Sequence, residues 1–174
     1  MYVEGTDFQS REFRRSVWHQ TTTAVALLTC AAKGRVNVMA CEWAMLVSIS
    51  PFSFVVSVHA SHATHELIEE SGEFGLSFCS DEQARLSHLS GSYSMHDVDK
   101  WALDNFPTLA GKMIGAPMID GSSLNAECRV VGKHELGHTV YIGETIWARY
   151  DAEKGPLLYH DAKYWRLGEQ VPKS

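Results

Sequence analysis

Short apolar runs broken by glycine, proline or charged pairs dominate the chain, and helical spacing is confined to a few brief stretches. Residues 10–20, SREFRRSVWHQ, place Phe13 and Val17 four apart, which predicts an N-terminal helix within 8–20. TTTAVALLTCAA (21–32) is rich in small and β-favouring residues and predicts a strand ending at a Lys33-Gly34 turn. RVNVMACEWAML (35–46) reads as the second strand of that hairpin, and SFVVSVHA (53–60) as a third strand after Ser50-Pro51. THELIEESG predicts a short helix with Thr64 as N-cap and Gly72 just past the C-terminus. FGLSFCS (74–80) predicts a strand, followed by a helix opened by Ser80-Asp81 and running through 82–91.

Residues 91–116 are less regular. AECRVVGKHEL (126–136) and HTVYIGETIWARY (138–150) predict a long antiparallel pair around Gly137. In the second of these, Val140, Ile142, Ile146 and Ala148 share one apolar face that Glu144 interrupts. PLLYHDAKYWRLG (156–168) predicts a final hairpin turned at Asp161-Ala162. Many short strands with few helices between them predict a mainly β protein, an antiparallel barrel decorated with peripheral helices. With no repeat or linker, the expected organisation is one domain over 1–174, a helix at 8–20 in front of a barrel core at 21–168.

Composition narrows the function classes. The chain of 174 residues is long enough for a real core, and 45% apolar with 21% charged residues is a globular balance. A net charge of −6, with no basic run beyond Arg14-Arg15, argues against a nucleic-acid partner. No apolar stretch approaches the ~20 residues needed to span a bilayer, so no membrane association is expected. Cys30, Cys41, Cys79 and Cys128 are widely separated, with no CxxC pair. Reduced, buried cysteines and a cytoplasmic location are the expectation.

The candidate chemistry concentrates in 37–72. His59, His62 and His65 recur every three residues, yet they fall on a strand, a turn and a helix start, so their ring nitrogens do not converge and no metal site is expected. A strand leading through a turn into a helix N-terminus makes an anion site from free N–H groups, with Ser61 and Thr64 as hydroxyl donors and His62 or His65 as added charge. The plainer alternative is that Thr64 only caps its helix. Upstream, Met39, Trp43 and Met45 alternate with Ala40, Glu42 and Ala44. Thioethers and an indole suit a flat aromatic ligand, and equally suit a core strand. No P-loop, Rossmann glycine pattern or G-x-S-x-G elbow is present, which disfavours phosphoryl- and acyl-transfer chemistry.

Taken in order, VALLTC…GRVNVMACEWAMLVSISP, THELIEESGEFGLSFCS, VDKW (98–101), APMID (116–120), AECRV (126–130), HTVYIGE (138–144) and LLYHDAKYWRLG (157–168) resemble the flavin reductase-like, FMN-binding split-barrel family, flavoredoxin-type proteins included. The resemblance covers roughly residues 10 to 167 and implies a six-stranded-type split β-barrel of Greek-key topology. It implies an FMN-binding oxidoreductase, FAD being an alternative flavin, that takes hydride from NAD(P)H and passes electrons to free flavin, a monooxygenase or another acceptor. A flavoprotein without its own nicotinamide site, and a non-enzymatic barrel for haem or another ligand, are the alternatives. It carries Met39, Ala40, Cys41, Glu42 and Trp43 over as ring contacts, and Ser61, His62, Thr64 and Ser48 as ribityl or phosphate contacts. Lys100 and His138 resemble positions near the flavin, His138 as the candidate catalytic residue. Family members often carry small hydroxyl residues where Ala40, Cys41 and Glu42 stand, and they are usually homodimers.

Overall fold

The computed structural model describes residues 4–173. Helix α1 (Arg11–Trp18) is capped by Ser10, whose hydroxyl accepts from the Phe13 N–H. Strands β1 (Thr22–Ala24) and β2 (Ala26–Ala32) follow. Lys33 and Gly34, with φ of 50° and 76°, turn β2 into β3 (Arg35–Cys41). Both central residues being left-handed is the two-residue turn whose twist matches a hairpin. Next come β4 (Ala44–Ile49), β5 (Phe52–Val58) and helix α2 (Ala63–Ser71), which stops at Gly72 with φ 69°. Strand β6 (Glu73–Phe78) and helices α3 (Ala84–Ser92) and α4 (Lys100–Leu103) lead to the short pair β7 (Thr108–Leu109) and β8 (Met118–Ile119). The chain closes with the long strands β9 (Leu124–Glu135) and β10 (Thr139–Tyr150), then β11 (Leu158–His160) and β12 (Lys163–Trp165).

Seven strands form one antiparallel sheet in the order β3-β2-β6-β9-β10-β5-β4, one more than the six-stranded expectation. The order puts β3 and β4 at opposite ends, yet only Glu42 and Trp43 join them. The sheet therefore curls until its two edges approach each other, and the Ser57 N–H donates to the Trp43 carbonyl at 3.0 Å, extending the β4–β5 ladder into that corner. The single strand expected over 35–46 is thus two strands facing different neighbours. Periodicity could not show this, because both halves are apolar and the break occupies two residues.

The strand expected over 21–32 is also divided. At Val25 the chain leaves a small sheet, β1-β11-β12, and enters the barrel. The Val25 N–H donates to the Leu157 carbonyl and its carbonyl accepts from the Cys79 N–H. Strand β2 is apolar except for the buried Thr29, because both its faces are covered. Ala26, Leu28 and Cys30 enter the barrel interior with Phe54, Phe74, Leu76 and Tyr141, and Leu67 and Ile68 of α2 plug one end of it. Leu27 joins Val25, Val38, Cys79, Phe106, Ile119 and Leu157 in an outer cluster that carries α3, α4 and the β11–β12 hairpin.

In β10 the buried face is Thr139, Tyr141 and Gly143, and the face shared by Val140, Ile142, Ile146 and Ala148 is partly exposed, Ile142 at 38%. Phe74 decides this: its ring lies where a side chain at Gly143 would be, so only glycine lets β10 pack against β6 and β9. Asp161 and Ala162 turn the last hairpin, with φ of 50° and 57°. All four cysteines are buried and free, and among the described residues no helix is long and apolar enough to cross a membrane.

Candidate functional site

A cavity of about 530 Å³ opens where the two sheet edges approach each other. Odd residues of β3 point into the barrel and even ones toward α3, so the last half of the strand presents both faces at the opening. Met39, Ala40, Cys41, Glu42 and Trp43 make one wall. The first turn of α2 makes the second, with His62, Ala63 and Thr64. The last turn of α3 and the segment after it, residues 90–95 with Asp97, make the third, and Lys100 and His138 also line the cavity.

The N-cap of α2 is His62, not the expected Thr64, and no side chain caps the helix. Its first-turn N–H groups therefore lack a side-chain cap at the cavity wall, Glu66 being the acidic residue of that turn. Thr64 instead lies inside the first turn, 1% exposed, where its hydroxyl accepts from the Asn37 Nδ2 at 2.9 Å. The Asn37 side-chain oxygen, 3% exposed, has no hydrogen-bond partner among the described residues. A buried carbonyl oxygen left this way loses hydration without compensation, unless a donor enters the cavity.

Lys100, 4% exposed, donates from Nζ to the carbonyls of Val38 (2.8 Å) and Ser90 (2.9 Å), tying β3 to the end of α3. No carboxylate accompanies it in an ion pair among the described residues, and burial lowers its pKa to about 8. An ammonium has three donors, so one remains beyond the two carbonyls. The corner thus combines a helix N-terminus with a buried cation, a combination that attracts an anion.

At the mouth, His138 meets the Trp43 ring edge-on at 4.9 Å between centroids and the His59 ring at 5.0 Å. Desolvation, then the neighbouring His59, lowers the His138 pKa; His62 is lowered by desolvation and by His59, His138 and Lys100. Both imidazoles are accordingly neutral at neutral pH. His65 faces elsewhere, its Nε2 at 3.0 Å from the Thr139 hydroxyl. Among the described residues, no three His, Cys, Asp or Glu side chains are placed to hold a metal ion. The Cys41 thiol is pushed up to about 12, mainly by burial, which keeps it protonated and unreactive.

Nine of the eleven residues singled out from the sequence border this cavity, namely Met39, Ala40, Cys41, Glu42, Trp43, His62, Thr64, Lys100 and His138. Ser61 and Ser48 do not. The Ser61 hydroxyl is engaged with His59 Nδ1 at 2.8 Å, and Ser48 of β4 pairs with Ser53 of β5. Asn37, Ser57, residues 90–95 and Asp97 also line the cavity, beyond the residues the sequence points to. The small-residue run Ser90-Gly91-Ser92 is the signal for that segment, marking a place where other groups can approach the backbone closely.

Residues 18–168 match the family model described as the flavin reductase like domain. An uncharacterized protein of Archaeoglobus fulgidus is 32% identical over 111 residues, 63% of each chain, so the match spans just under two thirds of that relative. An NADH-dependent flavin reductase of a Rhodococcus species is 26% identical over 153 residues, 83% of this chain and 78% of that one. Among solved structures, the NADH:FAD oxidoreductase SgcE6 of Streptomyces globisporus C-1027 superposes with a TM-score of 0.89 at 23% identity, over 97% of this chain and all of that one. With the family model covering all but the ends, this chain belongs to the flavin reductase like domain family.

Proposed function

We infer that the chain is an NAD(P)H-dependent flavin reductase that holds its flavin in the cavity at the β3–α2 corner. The observation that carries this reading is the convergence of the uncapped α2 N-terminus, the unpartnered Asn37 oxygen and the buried Lys100 on one cavity, in a barrel of this family. The residues fit the group: a flavin brings a flat ring, N–H donors and an anionic tail. Bound flavin supplies hydride and electron chemistry, and this chain supplies binding, orientation and electrostatics. Met39, Ala40, Cys41, Glu42 and Trp43 would border the ring. The N–H groups of Ala63 and Thr64, with His62, would take the phosphate, FMN being the favoured flavin and FAD the other. Lys100 would add a fixed positive charge beside the ring or ribityl chain. His138, held neutral beside Trp43, would position a nicotinamide at the mouth rather than supply charge.

The exposed apolar β4 edge supports a homodimer, and the four free buried cysteines fit a cytoplasmic setting. The electron acceptor would be free flavin, a monooxygenase or another redox partner. A visible spectrum of the purified or FMN-reconstituted chain, followed by anaerobic addition of NADH or NADPH, tests the reading. The expected result is flavin absorbance near ~450 nm that bleaches within the mixing time. Absorbance that NAD(P)H leaves unchanged would point to an electron carrier without a nicotinamide site. A chain that takes up neither FMN nor FAD would overturn the reading.

A further inference from the structure

A second cavity lies behind the first, and the flavin reading leaves it unused. Its volume is about 320 Å³, at the lower end of the size range for small organic ligands. It lies on the outer side of β3, where the end of α1, one side of α3 and the β11–β12 hairpin come together. Trp18, Tyr159 and Tyr164 give it aromatic walls, each from a different element. The Tyr159 and Tyr164 rings are 5.5 Å apart, and the Tyr164 hydroxyl is fixed by Ser87 Oγ at 3.0 Å. His88 completes the α3 side.

Glu42 is the carboxylate of this cavity, and it reaches it from the two-residue joint between β3 and β4. It is half-buried and makes no ion pair among the described residues. Desolvation holds its carboxyl above the ordinary value, and only the Trp18 side chain, as a hydrogen-bond donor, works against that. Arg15, one turn back on α1, donates its Nε to His19 at 3.3 Å instead. The chemistry excludes two classes of occupant. An anion would meet an uncompensated carboxylate, and a neutral ring would desolvate that carboxylate further without pairing it. A ring bearing positive charge satisfies both the aromatic walls and the carboxylate.

We propose that this cavity binds a small aromatic or heteroaromatic organic cation, its ring against Trp18, Tyr159 and Tyr164 and its charge at Glu42. The proposal does not depend on what fills the first cavity. It does explain why a carboxylate stands at the end of β3, where a flavin alone gives it no task. Ala40, Glu42, Gly91 and Ser92 border both cavities, so occupancy of one is felt at the other through shared walls.

Calorimetric titration of the full chain with 2-phenylethylammonium, 2-phenylethanol and 3-phenylpropanoate tests it, with and without saturating FMN. The ammonium is expected to bind about tenfold more tightly than the alcohol, and the carboxylate more weakly than either. Glu42→Gln should abolish the preference for the ammonium over the alcohol, and Trp18→Leu or Tyr159→Leu should weaken all binding about fivefold. Equal affinity for ammonium and alcohol, or a preference that survives Glu42→Gln, overturns the proposal. Competitive displacement by FMN also overturns it, by making the cavity part of the flavin site. Should Glu42→Gln not fold, Tyr159→Leu decides alone, and an unchanged ammonium affinity refutes the assignment. Failure to bind FMN would sink the reductase reading and leave the ammonium titration untouched.

Discussion

Thr64, Asn37 and Lys100 are single polar groups at a barrel corner that bear on stability and, under the proposed function, on binding. Thr64→Val keeps the volume and removes the acceptor for the buried Asn37 amide, 2.9 Å away. An unpaired buried donor costs about 1–3 kcal/mol, so urea unfolding should show a loss of that size. FMN binding should weaken in parallel; unchanged values in both would refute the role given to the pair. Lys100 has a pH signature. Burial lowers its pKa to about 8, so between there and its ordinary 10.5 the unfolded chain holds a proton that the folded chain releases. This group's contribution to stability therefore rises as pH increases from about 8 to 10.5, and the cost of burying its charge is fully present below 8. Chemical denaturation across that window should show the rise in the native chain and its loss in Lys100→Met. Affinity for anionic FMN should move the opposite way, falling as Lys100 discharges. An FMN affinity that is flat with pH would remove Lys100 from the site.

At the scale of elements, the most readable segments were those whose local signals agree with their tertiary surroundings. Lys33-Gly34, Gly72 and Asp161-Ala162 end or turn their elements where expected, because left-handed backbone is a local demand. Which face of β10 is buried is not readable locally, because a distant ring sets it: Phe74 fills the space beside Gly143. Gly143→Ala should cost about 1–3 kcal/mol from forced repacking, measurable as a lower thermal midpoint. The irregular 91–116 stretch has its explanation in Glu127. This fully buried carboxylate accepts the N–H groups of Lys112 (2.7 Å), Met113 (2.6 Å) and Ile114 (3.1 Å), and Glu73 accepts that of Gly115 (2.7 Å). A loop ordered by carboxylates from two other strands leaves no periodic trace in its own sequence. Glu127→Gln exchanges acceptor oxygen for an amide donor and should expose 111–115 to limited proteolysis at a temperature where the native chain resists it.

Across the whole molecule, the flavin reductase like family and the split barrel were legible from ordered short motifs, and those motifs on β3 and α2 also pointed to the candidate cavity. What the sequence could not show is that β3 and β4 are opposite edges of one sheet, since pairing order is non-local. The same arrangement leaves β4 paired with β5 alone, with Met45 (60%), Leu46 (41%), Val47 (45%) and Ile49 (81%) exposed. A run of exposed apolar residues on an edge strand is a place for association. If two copies meet there, Ile49→Asp should convert a dimer to a monomer in analytical ultracentrifugation. A native chain that sediments as a monomer at micromolar concentration would refute this assignment.

The joint at Glu42 and Trp43 also bears on how this sequence can change over time. It spans from one free edge of a seven-stranded sheet to the other, with the Trp43 carbonyl held by the Ser57 N–H. Side chains in a strand alternate, so one residue more or fewer would turn every residue of β4 to the opposite face or pull that carbonyl from its donor. Substitution at this corner changes chemistry while leaving the frame intact; a change of length breaks the frame. A scanning library of single-residue insertions and deletions should therefore find this corner among the least tolerant turns in the chain, although point variants here still fold.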